Sequence, residues 1–366
     1  MLGATRFQPT NGSLKVWWQD PGRLLALFSG RDSDLQTCDW YHIVDAFLGI
    51  ESQDLCFRTR FSQLYGDFQS HPPQVSKSLQ GLRCRVQVSD GAPASLVTFT
   101  ASEEVGIVDF ILDVYRERGY IEMHDGASDW RSVGLAGTAQ PLLTARGAQV
   151  FVDSSQLWQP LIATCAINWV MRMQRDVLFF HAAAVGIGGN GVLIAGDKAA
   201  GKSTTSMALA AQGHQFLGDE ISVVRSQTLE LCPFRRAVSI RPGPQARQVE
   251  QILSNTEYAT ERFPDGTTRK RAEASNLFPQ AGTPLLPLRW VFFLRGFEDF
   301  PRAEAFVPRA ADLRLLAPLP FTFWGASPAR LMMQVAKLLS SVKCYLLHPG
   351  LPEDTARLVE GIVRTG

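Results

Sequence analysis

The sequence predicts an α/β fold for its C-terminal part, preceded by a smaller α+β region. Continuous apolar runs such as VLFFHAAAVGI (177–187) and GVLIAGD (191–197) are typical of strands buried on both faces of a sheet. The second run leads through a glycine-rich turn into a helical pattern, the strand–loop–helix order of α/β proteins. We therefore expect an α+β region over residues 1–145 and an α/β domain over residues 150–366.

The N-terminal region mixes short strands with a helix. RCRVQVSD (83–90) and ASLVTFTA (94–101) alternate or carry β-branched residues, which predicts strands. GIVDFILDVYRERGY (106–120) has apolar residues at helical spacing and ends at Gly119, which predicts a helix. No motif in this region indicates a chemical function.

The C-terminal part continues with helices and strands in alternation. A helix is expected from a cap at Ser154 or Ser155 through Met173, and GGN (188–190) indicates a hairpin. A second helix is expected from Lys202 to Gln212, closed by Gly213. Further predicted strands are QFLGDEISVV (215–224), LELCPF (229–234) and WVFFLRG (290–296), and the closing helices are PARLMMQVAKLLSSV (328–342) and PEDTARLVEGIVRT (352–365). The polar segment TTRKRAE (267–273) is expected to be an exposed loop.

Composition excludes several classes of partner. The 36 Lys and Arg residues nearly balance the 35 Asp and Glu residues, so bulk charge favours neither nucleic acid nor a membrane surface. The six cysteines are scattered and do not cluster with histidines, which indicates buried or free thiols in a reducing compartment. The N-terminus lacks a signal-peptide pattern, and the apolar segments are too short to span a bilayer. We expect a cytoplasmic protein. The sequence leaves open whether it forms a homo-oligomer.

The segment GDKAAGKS (196–203) matches the phosphate-binding pattern G-x-x-x-x-G-K-S. Backbone N–H groups of the loop and the positive end of the following helix would surround phosphate, with Lys202 supplying a charge for the β- and γ-phosphates. Ser203 would offer its hydroxyl to Mg²⁺. The sequence therefore predicts a site for ATP and Mg²⁺, with these nucleotide-binding residues: Gly196, Asp197, Lys198, Ala199, Ala200, Gly201, Lys202, Ser203 and Thr204.

Two acidic residues follow the phosphate-binding motif. Asp219 and Glu220 end a strand-like step that we expect beside the strand before the loop, because it follows the loop's helix directly. Such a pair could ligate the metal, and Asp219 could accept a proton from an attacking hydroxyl. The alternative is a solvated pair after a turn.

A histidine and three arginines complete the candidate residues. His181 interrupts an apolar strand, so it is either a buried structural histidine or a residue that orients a carboxylate or contacts the γ-phosphate. Arg235, Arg236 and Arg241 either form a solvated face or bind phosphate or an acidic substrate.

These segments together resemble a known family. NWVMRMQRDVLFFHAAAV, GVLIAGDKAAGKSTTSMALAAQGHQFLGDEISVV and PFRRAVSIRPG are similar to the HPr serine kinase/phosphorylase catalytic domain, and more closely to HPr-kinase-related proteins of bacterial peptide-modification gene clusters. FSQLYGDF (61–68) and KCYLLHPG (343–350) add weaker similarity. The resemblance implies a P-loop fold related to phosphoenolpyruvate carboxykinase.

The resemblance also implies an activity. It predicts a kinase that uses ATP and Mg²⁺ to phosphorylate a hydroxyl, serine being favoured, of a peptide or protein. Asp219, His181 and Lys202 would be catalytic, and Ser203, Glu220 and Asp219 would hold the metal. The alternative is an ATPase or nucleotide-binding module whose N-terminal half binds a partner.

Overall fold

The structure is a computed structural model of the chain. It describes residues 38–73, 81–87, 94–101, 107–117, 119–123, 129–137, 141–153, 158–240, 246–252, 259–262, 268–279, 284–316, 318–319 and 327–366.

The chain divides into two compact units. The second unit contains residues 171–366 together with two N-terminal segments, 41–46 and 61–69. The first unit contains the remaining residues up to Val170. This division differs from the expected boundary near residues 145–150, because the helix ending at Met173 lies mostly in the first unit and FSQLYGDF lies entirely in the second.

The first sheet has nine described strands in the order β3-β1-β2-β4-β5-β9-β8-β7-β6. The strands are β1 (Cys38–Ile43), β2 (Ala46–Ser52), β3 (Gln69–Ser70), β4 (Gly81–Gln87), β5 (Ala94–Ala101), β6 (Ile121–Met123), β7 (Arg131–Gly134), β8 (Pro141–Arg146) and β9 (Gln149–Asp153). The helices of this part of the chain are α1 (Leu55–Tyr65), a 3₁₀ turn (Gly66–Phe68), α2 (Ile107–Glu117) and α3 (Trp158–Met173). The expected strands and helices of this region are confirmed; the proposed caps of α3, Ser154 and Ser155, lie outside the described residues.

The second sheet lies within the second unit. Its described strands follow the order β10-β14-β15-β19-β12-β11-β13, with β21 pairing to β19 and β20. The strands are β10 (Val177–Phe180), β11 (Ala183–Ile187), β12 (Asn190–Ala195), β13 (Gln215–Gly218), β14 (Ser222–Arg225), β15 (Glu230–Cys232), β19 (Leu286–Leu294), β20 (Arg302–Phe306) and β21 (Lys343–His348). A small separate sheet contains β16 (Val238–Ile240), β17 (Ala259–Arg262) and β18 (Thr268–Ala272).

Helices cover both faces of the second sheet. α4 (Lys202–Ala211) and α8 (Pro352–Thr365) pack on one face, and α7 (Pro328–Ser340) packs on the other. Along β19, Phe292 belongs to the core beneath α4 and α8, whereas Val291 and Phe293 belong to the core beneath α7. This alternation explains the continuous apolar run, because a strand buried on both faces needs no polar positions. The remaining described helices are α5 (Ala246–Ile252), α6 (Ala274–Leu277) and a 3₁₀ helix (Ala310–Leu316).

The α/β architecture, the GGN hairpin and the helix from Lys202 are confirmed. Two predicted strands are wrong in their continuity, because VLFFHAAAVGI breaks at His181–Ala182 and QFLGDEISVV breaks at 219–221. The strands on the two sides of each break pair with different partners. At the first break, β10 pairs with β14, whereas β11 pairs with β12 and β13. At the second break, β13 pairs with β11, whereas β14 pairs with β10 and β15. The expected loop TTRKRAE is also wrong, because its described part is mostly strand β18, held between β16 and β17.

The described helices include none that is long and apolar enough to cross a bilayer. All six cysteines are free thiols, as their spacing predicted.

Candidate active site

Five neighbouring strands bring the candidate residues to one edge of the second sheet. β12, β19 and β21 run parallel, so the segments that follow their last residues meet at this edge. β11 runs antiparallel to β12, and β13 runs antiparallel to β11, so the start of β11 and the end of β13 lie there too. The edge therefore collects residues 196–201, called here the glycine loop, together with His181 and Asp219.

The glycine loop connects β12 directly to α4. Gly196 and Gly201 have φ angles of 155° and 101°, a region that side-chain-bearing residues rarely adopt. A Cβ at Gly196 would also lie 3.0 Å from Cβ of Leu294 on β19. Gly201 is the N-cap of α4 and provides no side-chain cap, so the first N–H groups of the helix remain available to an anion.

Lys202 is folded back over the glycine loop. Its Nζ donates hydrogen bonds to the carbonyl oxygens of Gly196 (2.8 Å) and Asp197 (2.9 Å), and the residue is only 7% exposed. Burial lowers the pKa of the ammonium, while the negative charges of Asp219, Asp197 and Glu220 act in the opposite direction. A positive charge is thus held at the centre of the loop by weak neutral acceptors, which an incoming phosphate could replace.

Ser203 and Asp219 meet beneath the glycine loop. Ser203 Oγ donates a hydrogen bond of 2.9 Å to Asp219 Oδ1, and Asp219 is 4% exposed. Burial raises the pKa of Asp219 to about 6, and the charge of Glu220 adds to the increase. The Ser203 hydrogen bond, the backbone of Glu220 and the charge of Arg236 oppose it.

The expectation that the strand carrying Asp219 lies beside β12 is wrong, since β11 separates β13 from β12. Asp219 still reaches the loop, because it follows the end of β13 at the shared edge of the sheet.

His181 contacts the backbone of the acidic pair. It lies in the break between β10 and β11, is exposed, and its Nδ1 is 3.0 Å from the carbonyl oxygen of Glu220. Glu220 has a φ of 62°, an unusual conformation for a glutamate. Its Oε2 lies 3.5 Å from Nη1 of Arg236. His181 and Arg236 therefore hold Glu220 from its backbone and from its side chain.

The three candidate arginines have different positions. Arg236 lies at the acidic pair, whereas the buried Arg235 pairs through Nε with Asp67 Oδ2 at 3.0 Å and donates to the carbonyl oxygen of Phe278. Arg235 also lines a cavity of about 590 Å³ within the second unit. Arg241 lies outside the described residues.

The residues present fit a magnesium ion. A serine hydroxyl and a carboxylate already share one hydrogen bond, and both are oxygen ligands of the kind that Mg²⁺ takes together with phosphate oxygens and waters. The described residues contain no cluster of three or more His, Cys, Asp or Glu residues suited to a metal. Such a site would therefore rely on the nucleotide for part of its ligands.

Two further segments at this edge were not among the predicted site residues, although the second lies within KCYLLHPG (343–350). The loop after β19, with Arg295 and Phe297, and the turn after β21, with Pro349 and Gly350, both border the glycine loop. The apolar run WVFFL, which resembles the run before the glycine loop, was the available signal for a neighbouring parallel strand.

No family model and no curated protein sequence matches this chain. Among solved structures, it is similar to the HPr(Ser) kinase/phosphatase from Coxiella burnetii, with 17% identity and a TM-score of 0.27. That match covers 51% of this chain and 88% of the other.

Proposed function

We propose that this chain is a kinase that transfers the γ-phosphate of ATP to a hydroxyl, favouring serine, of a peptide or protein. The observation that carries the proposal is the 2.9 Å hydrogen bond between Ser203 Oγ and Asp219 Oδ1 beneath the glycine loop. It joins the end of a phosphate-binding motif to a buried carboxyl whose pKa is raised to about 6. Phosphoryl transfer needs the reacting groups to be positioned and the phosphate charge to be neutralised. The phosphate-binding motif and the buried carboxyl support these two requirements.

The donor would be bound by the glycine loop and α4. The uncapped N–H groups after Gly201 and the backbone of residues 196–204 would donate to the phosphates. Lys202 Nζ would exchange its carbonyl acceptors at Gly196 and Asp197 for phosphate oxygens, a stronger charge-assisted interaction. Ser203, Asp219 and Glu220 would hold Mg²⁺, which when bound neutralises negative charge on the phosphates.

The acceptor hydroxyl would be deprotonated by Asp219. Without a bound cation the pKa of about 6 leaves the carboxyl mostly ionised at neutral pH and makes it a stronger base than an ordinary aspartate, and a nearby Mg²⁺ would lower that pKa. His181 and Arg236 would be positioning residues, because they hold Glu220 next to this carboxyl.

For the acceptor side we propose Arg235, Arg236 and Arg241; Arg235 lines the 590 Å³ cavity, and Arg236 lies at the acidic pair. A cavity of this size suits a side chain with its flanking backbone. With this function we propose a P-loop domain of the HPr-kinase type and a role in a cytoplasmic peptide-modification pathway.

The test is incubation with γ-labelled ATP, Mg²⁺ and arrayed serine, threonine and tyrosine peptides. We expect label on serine peptides, its loss in Lys202→Met, and its retention in Lys337→Met, which removes an exposed lysine of α7. Release of free phosphate at the same rate with and without peptides, and no labelled peptide, would replace the kinase by the ATPase alternative.

A further inference from the structure

A second, smaller cavity lies against the glycine loop. It measures about 210 Å³ and is bounded by Gly201 and Thr204 at the start of α4, by Phe297 after β19, and by Pro349 and Gly350 after β21. It is smaller than the roughly 300–1,000 Å³ of pockets that hold whole drug-sized ligands. Its size suits one flat ring system, and it begins where the proposed phosphate site ends.

The outer walls of this cavity are tied together by the backbone. The N–H of Glu298 donates to the carbonyl oxygen of Pro349 at 2.9 Å. Gly350 packs closely against Pro301: a Cβ at position 350 would lie 2.9 Å from the backbone nitrogen of Pro301. The cavity is therefore formed before any ligand enters.

The aromatic ring of Phe297 stands beside the glycine loop. A Cβ at Gly201 would lie 3.2 Å from its Cζ, so the ring packs against the loop where only glycine leaves room. Phe297 is nevertheless 49% exposed, which leaves part of the ring open to a ligand. A half-exposed aromatic ring beside a phosphate site is a stacking platform for a base, since every base has a π-face.

The polar side chains in the wall are threonine hydroxyls, belonging to Thr204, Thr205 and Thr355. Thr355 Oγ1 already donates to the carbonyl oxygen of Leu351 and accepts from the N–H of Gly350. Because the bond to Leu351 uses the only proton of Thr355, its hydroxyl can offer a base no more than an acceptor. The hydroxyl of Thr204 can rotate to donate or to accept, so it can meet either the 6-amino group of adenine or the 6-oxo group of guanine.

We propose that this cavity binds the purine base of a nucleoside triphosphate by stacking on Phe297, with little discrimination between adenine and guanine. This inference rests on the proposed function, because it takes the glycine loop as the site of the triphosphate. It deepens that function by extending the donor from ATP to purine nucleoside triphosphates.

The test compares binding of ATP, GTP and inorganic tripolyphosphate, each with Mg²⁺, by calorimetry. We expect Phe297→Ala to weaken ATP and GTP by roughly 5- to 150-fold, the range for loss of one stacked base. Tripolyphosphate should bind Phe297→Ala as it binds the wild type, because it has no base. Phe297→Trp should restore nucleotide binding, and Phe300→Ala, which removes an exposed phenylalanine of the same loop, should change nothing.

Each component of the proposal has its own contrary result. Unchanged ATP affinity in Phe297→Ala, or an equal loss of tripolyphosphate, would overturn the base site. A preference of more than about 100-fold between ATP and GTP would overturn the lack of discrimination. Failure of the proposed function is distinguishable, because peptides would then stay unlabelled while ATP binding and its dependence on Phe297 persist; absence of ATP binding to the wild type would overturn both.

Discussion

Replacing Asp219 by asparagine should stabilise the folded protein at alkaline pH while abolishing phosphoryl transfer. Folding raises the pKa of the Asp219 carboxyl from 3.8 to about 6. At pH 8, where the carboxyl is ionised, this shift lowers the free energy of unfolding by about 3 kcal/mol. Asparagine removes this cost and keeps an oxygen that can accept from Ser203 Oγ. Loss of the attraction to Arg236 offsets part of the gain, so we expect an increase of about 1–3 kcal/mol in the free energy of unfolding.

The sign of the pH dependence identifies the cause. The folded state binds the Asp219 proton more tightly than the unfolded chain, so the wild type loses stability as the pH rises from about 4 to about 7. Asparagine does not titrate, so the gain should be full at pH 8 and should disappear near pH 4.

Urea unfolding at pH 8 and pH 4.5 measures this effect. Glu298→Gln is the matched control. Hydrogen bonds from Arg302 lower the pKa of Glu298, so replacing this carboxylate by an amide should not increase the free energy of unfolding at pH 8. An equal gain for Asp219→Asn at both pH values, or none at pH 8, would refute the electrostatic reasoning. The same variant should bind ATP and fail to label peptide; retained transfer would contradict the proposed role as base.

Four further substitutions test the packing and the electrostatics. Gly218→Ala should destabilise by about 1–3 kcal/mol, because its Cβ would lie 2.8 and 3.0 Å from two backbone carbonyl oxygens; Gly361→Ala, on open helix surface, should instead stabilise by about 0.5–1 kcal/mol. Phe293→Ala should cost about 3–5 kcal/mol in urea unfolding, because the ring is fully buried, and a cost below about 1 kcal/mol would contradict that packing. Arg236→Gln should raise the pKa of Asp219 further, since the cation lowers it, and should move the acid limb of the activity profile to higher pH; an unchanged limb would separate Arg236 from the carboxyl.

The sequence by itself determined the local parts of the candidate site. The apolar run of β12, the two glycines and the helix from Lys202 were predictable because each depends on neighbouring residues. Gly196 and Gly201 occupy backbone conformations that favour glycine, and a strand buried on both faces has to be apolar throughout. The closing helices were predictable from their 3.6-residue spacing for the same reason.

Only the tertiary structure decided which residues meet. The strand after α4 pairs with β11 and not with β12, and strand order depends on contacts distant in sequence. Arg235 and Arg236 are adjacent in sequence, yet one pairs with Asp67 and the other approaches Glu220. The breaks at His181 and after Gly218 have the same origin, because β10 pairs with β14 whereas β11 pairs with β13, and the two pairs lie at different places in the sheet.

The segment with Phe297 shows the same limit. Its sequence resembles an ordinary loop after an apolar strand, and nothing local marks it as a neighbour of the glycine loop. It acquires that position because β19 runs parallel to β12, with Phe293 opposite Ala195, so both strands end at one edge. Local periodicity fixes secondary structure, whereas the pairing of strands far apart in the chain fixes the site.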